Sequence, residues 1–411
     1  ARETPREPQL RARCRASRPV ATDRLGLVAY ARDGALVTVP VSGGKERVLV
    51  ADGVRADEQH PVAWSPDGRW IAYGSGILVS PSGRVCRPFG LPLHDFTWAP
   101  RSHAFVGLSA TGALWWRTQE GQKERVLTGP WGASSFRFDP TGRRLAISRI
   151  RRRGEKVTRS SLWTLDLESG ARTKLVDEKE SASALRVAGW SPDGSWILYW
   201  RENISASLSA DGAPLMAVPA SGGDPVKVLE SMLPYRDFLT WCEDALVATA
   251  GGGRDITKGK YLVRVSAPEW QAVRLRNTDT QLKNEYWPSC APKPYGSYVA
   301  ATASPDRFED RVGTLPRSIH FFTLQDQNRG GFSLPREAAE YPLWAEHDRG
   351  TTITLLFVSR ERGGDRAATL YLQRGEGSTE VAELGPVDGY YAHYDYSSIM
   401  DWYQPGLLRN K

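Results

Sequence analysis

An all-β chain of repeated four-stranded modules is the fold class that this sequence predicts, and three observations predict it. The phrase "VAWSPDGRWIAY" at 62–73 returns as "AGWSPDGSWILY" at 188–199, and a phrase that recurs marks a module. A series of aromatic anchors, Trp64, Trp98, Phe138, Trp190, Trp241, Trp287 and Trp344, each closes a short alternating strand that is followed by a second one. No long stretch has 3.6-residue apolar periodicity, so helices are minor.

The elements follow in order. Residues 1–22, opening "ARETPREPQLRARCRASRP", are basic, contain Pro and lack periodicity, and read as an extended arm. "LGLVAY", "ALVTVPV" and "ERVLV" within 25–50 supply three strands with no anchor strand ahead of them. The two full phrases then read as strand, turn and strand. Asp-Gly turns the chain because Gly tolerates positive φ and Asp bonds its own backbone. "FTWAPRSHAFVGLS" from Phe96, "FRFDPTGRRLAIS" from Phe136 and "LTWCEDALVATA" from Leu239 follow the same grammar. So do "YWPSCAPKPYGSYVAATA" from Tyr286 and "PLWAEHDRGTTITLLFVS" from Pro342. Third and fourth strands follow each pair, as in "LWTLDLESGARTKLV" (162–176) and "PLMAVPASGGDPVKVL" (214–229).

Four short strands per roughly 35–57 residues is the signature of a β-propeller blade. "SSIMDWYQPG" (397–406) has an anchor, Trp402, and a turn, then stops. The simplest closure lets this C-terminal strand complete the incomplete N-terminal blade. A single β-propeller over 23–406 with eight four-stranded blades is therefore expected, with 407–411 as a tail. Seven blades is the alternative if the C-terminal segment docks elsewhere.

"WSPDGRWIAY", "WSPDGSWILY" and the blade-closing "VPASGGDPVKVL" resemble the repeats of TolB-like, WD-type β-propellers over about 25–406. Such repeats also occur in the propeller domains of prolyl-oligopeptidase-like enzymes. Those peptidases carry a hydrolase domain with a G-x-S-x-G elbow, and this chain has neither that motif nor residues left to build the domain. The resemblance implies a fold; activity has to be argued from a site.

Composition narrows the classes. Of 411 residues, 40% are hydrophobic and 25% charged, which are globular values. The longest apolar run, "ITLLFV" (353–358), is too short to span a bilayer. Cys14, Cys86, Cys242 and Cys290 match no metal spacing. Cys242 and Cys290 sit near the anchors of neighbouring blades, where a disulfide is conceivable and two buried thiols are the expectation. The chain begins at Ala1 without Met, as a processed export product or a trimmed one would, and a periplasmic or secreted location is expected. No cofactor and no metal are predicted.

In a propeller the first strand lines the channel, and the second-to-third loops emerge on the face opposite the Ser-Pro-Asp-Gly turns. Asp67 and Asp193 are therefore read as turn residues. Five second-to-third loops are long: 149–160, 201–213, 251–260, 304–317 and 359–367. They carry sixteen Lys/Arg: Arg149, Arg151, Arg152, Arg153, Lys156, Arg159, Arg201, Arg254, Lys258, Lys260, Arg307, Arg311, Arg317, Arg360, Arg362 and Arg366. Nine acids oppose them, so the excess equals the net charge of +7 for the whole chain. A one-sided positive field attracts acidic partners. Nucleic acid is disfavoured, because these loops lack interleaved aromatics for base stacking. "GGGRDITKGK" (251–260) is not a phosphate loop, since Arg254 stands where the first Gly must be.

Four residues before each anchor lie His60, His94, Ser134, Arg186, Asp237, Lys283, Glu340 and Ser398, all polar. They are read as the hydrated rim of the channel mouth, with His60 and His94 as acid–base or metal-binding candidates beside Asp237 and Glu340. The functional expectation is a non-catalytic propeller docking through its basic loops onto a protein partner with an acidic surface, as part of an envelope-associated assembly. Peripheral contact with lipid headgroups is compatible with the same charge. The alternative is a lyase or hydrolase acting on an anionic glycan through the channel-mouth His and acid residues.

Overall fold

The computed structural model describes residues 18–22, 25–54, 61–118, 124–128, 132–154, 156–179, 183–203, 212–251, 260–275, 282–291, 298–305, 317–325, 327–332, 337–345, 354–361, 368–374, 380–387 and 396–405. They form eight four-stranded sheets, the blades of a β-propeller. Blade 1 is composite: Leu27–Arg32, Ala35–Pro40 and Arg47–Val50 are completed by Met400–Tyr403 from the far end of the chain. The two ends pair antiparallel, Leu27 opposite Tyr403 and Tyr30 opposite Met400. Blades 2 to 8 each use four consecutive strands, so the count is eight and not seven. Among the described residues the only helical pieces are two 3-10 turns, Arg236–Phe238 and Tyr396–Ser398, and no helix is long and apolar enough to cross a membrane.

Every anchor aromatic lies on the first strand of its blade. Trp64 ends Ala63–Trp64, Trp98 ends Leu93–Trp98, Phe138 ends Ala133–Phe138, Trp190 ends Ser183–Trp190 and Trp344 ends Glu337–Trp344. Trp241, Trp287 and Trp402 lie within Leu239–Cys242, Leu282–Cys290 and Met400–Tyr403. Tryptophan recurs here because its large ring fills buried space while its N–H can reach a backbone carbonyl. Trp98 donates to the Ala63 carbonyl at 3.1 Å, Trp344 to Ser289 at 2.9 Å and Trp402 to Leu25 at 2.6 Å.

The core lies between successive sheets. Ala29 and Leu36 of blade 1 pack with Trp64, Ile71 and Val79 of blade 2. Ala146 and Leu162 of blade 4 meet Leu185, Ile197 and Tyr199 of blade 5, and Ala300 and Ile319 of blade 7 meet Leu355 and Phe357 of blade 8. The facing sheets of each such pair are thus apolar toward one another, as stacking repeats require. By contacts the chain divides into two compact units, residues 1–145, 165–171 and 397–411, and residues 146–164 and 172–396.

The repeated phrase is explained by its turn. Ser65 Oγ donates to Asp67 Oδ1 at 2.8 Å and accepts from Trp70 N at 3.0 Å. Ser191 repeats this with Asp193 at 2.5 Å and Trp196 N at 2.9 Å. Gly68 has φ +67, and a Cβ there would lie 2.4 Å from the Tyr403 ring of the closing strand. Only glycine meets both demands.

The cysteine expectation is corrected. Cys242 and Cys290 are joined in a disulfide with Cα atoms 5.4 Å apart, inside the usual range for such a bond. Cys86 is disulfide-bonded as well, and Cys14 lies outside the described residues. The loop expectation for 149–160 is corrected too. The strands Arg144–Arg153 and Lys156–Asp166 run through it as one long hairpin, which turns at Gly154 with positive φ.

Candidate functional site

The residues four before the anchors do sit on or just before the first strands, but they do not form one hydrated rim. His94 is exposed on Leu93–Trp98, and Ser134 is half-buried on Ala133–Phe138. His60 lies outside the described residues, and Lys283 is on Leu282–Cys290 with its side chain outside them. Arg186 bonds Glu202 at 2.5 Å, reaches the Pro234 carbonyl at 2.6 Å, and stacks 4.7 Å from the Trp200 ring centroid. Asp237 lies in the 3-10 turn that begins two residues beyond Pro234.

Glu340 is the clearest departure. It is 1% exposed, with Oε1 accepting from Arg317 and Oε2 from the Tyr396 hydroxyl. Arg317, counted above as a loop cation, is 2% exposed and lies 5.7 and 5.9 Å from the Tyr286 and Trp287 rings. Tyr396 stacks on Tyr341 at 5.1 Å and meets Trp287 edge-on at 5.4 Å. Trp287 and Tyr341 both have positive φ, +50 and +53, and both occupy breaks in strand register. Positive φ is a genuine outlier for bulky residues, and it persists here because bulge, ring stack and ion pair over-determine it. Lys260, another supposed loop cation, is fully buried with its ammonium 5.9 Å from the Tyr286 ring. This cluster joins blades 7 and 8 to the segment that leads into the closing strand. It is core and not rim.

The remaining basic positions separate cleanly. Arg254, Lys258, Arg307, Arg311 and Arg362 lie outside the described residues, and Arg360 is on Thr354–Glu361 with its side chain outside them. Arg151, Arg152 and Arg153 are exposed on the blade 4 hairpin. At its base a cleft of about 200 Å³ is lined by Arg149, Arg151, Arg159, Ser161, Trp163 and Lys174. Alternation places Arg149 with Arg151 on one strand, and Arg159, Ser161 and Trp163 on the next. Lys174 comes from the strand Arg172–Lys179.

Its electrostatics are one-sided. Arg159 grips Asp177 through two nitrogens, and Lys174 bonds the same carboxylate at 2.8 Å. Those bonds hold the Asp177 carboxyl well below the usual range. Arg149 moves the other way. Burial lowers its affinity for a proton, and the neighbouring charges of Arg151 and Arg159 lower it further. Trp163 is half-buried, with its N–H fixed on Ser161 Oγ at 2.9 Å and the Lys174 ammonium 5.7 Å from its ring. Sequence reasoning missed Trp163 by three residues, because the loop was taken to end at 160.

A Ser, an Asp and a His also meet elsewhere. His103 Nδ1 lies 2.5 Å from Asp67 Oδ2, and Ser65 bonds the same carboxylate. The carboxylate stands between the other two, so the imidazole does not contact the hydroxyl, as activation of a serine by histidine needs. The trio clasps the turns of blades 2 and 3. Burial pushes the Asp67 carboxyl up, but the bonds from His103 and Ser65 outweigh it and hold the group below its ordinary value. Among the described residues no three of His, Cys, Asp and Glu converge to hold a metal ion.

No model of a known protein family matches the chain, and no curated protein matches it in sequence. Solved structures share its fold. Porphyromonas gingivalis dipeptidyl peptidase 4 is 11% identical with a TM-score of 0.58, over 91% of this chain and 62% of that one. The chain thus spans about three-fifths of that enzyme's length. Oligogalacturonate lyase in complex with manganese is 15% identical with a TM-score of 0.48, over 88% of this chain and 98% of that one. TolB from Acinetobacter baumannii is 13% identical with a TM-score of 0.38, over 79% and 67%. The expectation of a non-catalytic docking scaffold is corrected by these likenesses. It took the propeller, without a hydrolase domain beside it, as a sign of a scaffold, whereas the same fold occurs in an enzyme, so the fold does not set this chain apart from catalysts. The resemblance to TolB-like propellers is one of fold.

Proposed function

We propose that this chain is an anion-recognising β-propeller that works in an oxidising, extracytoplasmic compartment. The observation that carries the reading is the blade 4 cleft, where four cations and an indole line about 200 Å³ with no acid among the lining residues. Planar guanidinium forks match anionic oxygens bidentately, which gives direction as well as attraction. The strands of a rigid sheet hold them in place before a ligand arrives, which lowers the entropy lost on binding. The proposal concerns recognition and holds for a catalyst and for a carrier alike.

The Cys242–Cys290 disulfide supports the compartment, since such a bond persists where thiols are not kept reduced. Calorimetric titration with sulfate, phosphate and small carboxylates tests the site. Wild type is expected to bind at least one of them, more weakly as salt rises, and an Arg149→Gln/Arg151→Gln variant is expected to lose it. An unchanged titration in that variant refutes the assignment.

A further inference from the structure

We infer that the anion taken by the blade 4 cleft is a dianionic phosphomonoester, the terminal phosphate of a small ring-bearing molecule. This rests on the anion-binding reading above and goes further in naming the charge and shape of the group. Arg149, Arg151, Arg159 and Lys174 bring four positive charges, of which Asp177 offsets one. A single carboxylate leaves most of that excess in place. A phosphomonoester carries roughly −1.5 to −2 at neutral pH and presents three acceptor oxygens.

The donors are arranged for such a group. Ser161 Oγ already accepts the Trp163 N–H at 2.9 Å, so its own proton is left to donate. Three guanidinium forks and an ammonium add donors from three successive strands. A planar carboxylate has two oxygens for this set, and a tetrahedral phosphate has three.

Size fixes the rest of the ligand. About 200 Å³ lies below the 300–1,000 Å³ of sites that enclose drug-sized molecules. It holds the phosphate and part of one ring. Trp163 is where that ring would lie, since its anchored N–H keeps the indole from swinging away. The like-charge crowding around Arg149 is what the arriving dianion relieves.

The test is calorimetric titration of the full chain with a hexose phosphate, sulfate, a hexuronate and the neutral hexose. It is run at about pH 7.5 and about pH 5, on either side of the phosphate's second ionisation near pH 6. The hexose phosphate should bind, with affinity falling about tenfold at the lower pH as the second charge is lost. Sulfate, a dianion at both values, should keep its affinity, and the neutral hexose should not bind. Arg149→Gln should weaken the hexose phosphate about tenfold or more, as loss of a charged hydrogen bond does. Trp163→Leu, which removes the aromatic face on which the ligand ring would lie, should weaken the hexose phosphate and leave sulfate unchanged.

Vesicles containing phosphatidate distinguish a lipid source from a soluble one: capture by vesicles, with weak binding of the soluble ester, assigns the phosphate to a lipid headgroup. Equal affinity for the hexuronate, or no pH dependence for the hexose phosphate, overturns the phosphomonoester while the anion site stands. If none of the anions binds, both fall.

Discussion

Replacing Glu340 with Gln should be among the most damaging single changes in the chain. The substitution leaves the Arg317 guanidinium, 2% exposed, facing a neutral amide instead of a carboxylate. Removing one partner of a buried ion pair costs about 3–5 kcal/mol, because the other charge stays buried without compensation. The unfolding entropy is about 2.1 cal/mol/K per residue, so 411 residues give about 0.9 kcal/mol/K. In a single transition the melting temperature should therefore fall by about 3–6 °C. Arg317→Met alone should cost a similar amount. The double variant Glu340→Leu/Arg317→Met should recover most of the loss, since well-packed apolar residues replace buried pairs without penalty in other proteins. Urea unfolding of wild type, Glu340→Gln, Glu340→Leu, Arg317→Met and the double measures these losses, and the Leu and Met singles with the double close a double-mutant cycle. A loss under about 1 kcal/mol for Glu340→Gln, or a double variant as unstable as the sum of its singles, refutes the assignment of this pair as a coupled core element.

Two further outcomes are expected. Opening the Cys242–Cys290 bond, which closes a 48-residue separation, should cost about 4 kcal/mol by chain entropy; guanidinium unfolding of a Cys242→Ala/Cys290→Ala variant measures it. The clasp between Asp67 and His103 should show as acid sensitivity. Asp67 is held below its ordinary value, so its contribution is complete above about pH 4 and drains away as pH falls through the folded-state value. Asp67→Asn should flatten that acid limb in a plot of stability against pH, and an unchanged limb means the clasp contributes nothing.

Much of the fold was legible because its signals are local. Trp64 or Trp190 announces a strand, and Ser-Pro-Asp-Gly announces the turn three residues on. Those features depend on neighbours in sequence. The composite blade was legible for a related reason: three strands without an anchor at one end and an anchor without its strands at the other, Trp402, complete one another. The disulfide was not legible, because Cys242 and Cys290 meet only through the way successive blades face one another, and a register break between Tyr286 and Ser289 resets that alignment. The hairpin past Arg149 was hidden because strands of arginine read as loop until their pairing partners are known.

The candidate site illustrates the difference between counting charges and placing them. The excess of sixteen basic residues over nine acids in five loops equals the chain's net charge of +7, and that equality suggests one broad positive face. Position within each loop undoes the suggestion. Lys260 and Arg317 stand immediately before third strands, where the backbone turns inward against the next blade: Lys260 O accepts from Glu285 N at 3.1 Å and Arg317 O from Ala339 N at 3.0 Å. Side chains leaving such points enter the core, and both are buried. Arg159 and Arg201 sit further out but are met by Asp177 and Glu178 of the strand Arg172–Lys179, beside Arg159 in its own blade and across from Arg201 in the next. Of the loop cations that the structure describes, Arg149, Arg151, Arg152, Arg153 and Lys156 then share one hairpin. A field spread over a face steers large partners, whereas charge gathered around an indole in a small cleft selects one group of matching size. That relocation, from a face to a single blade, is why a compact dianion fits the observations better than a docking protein.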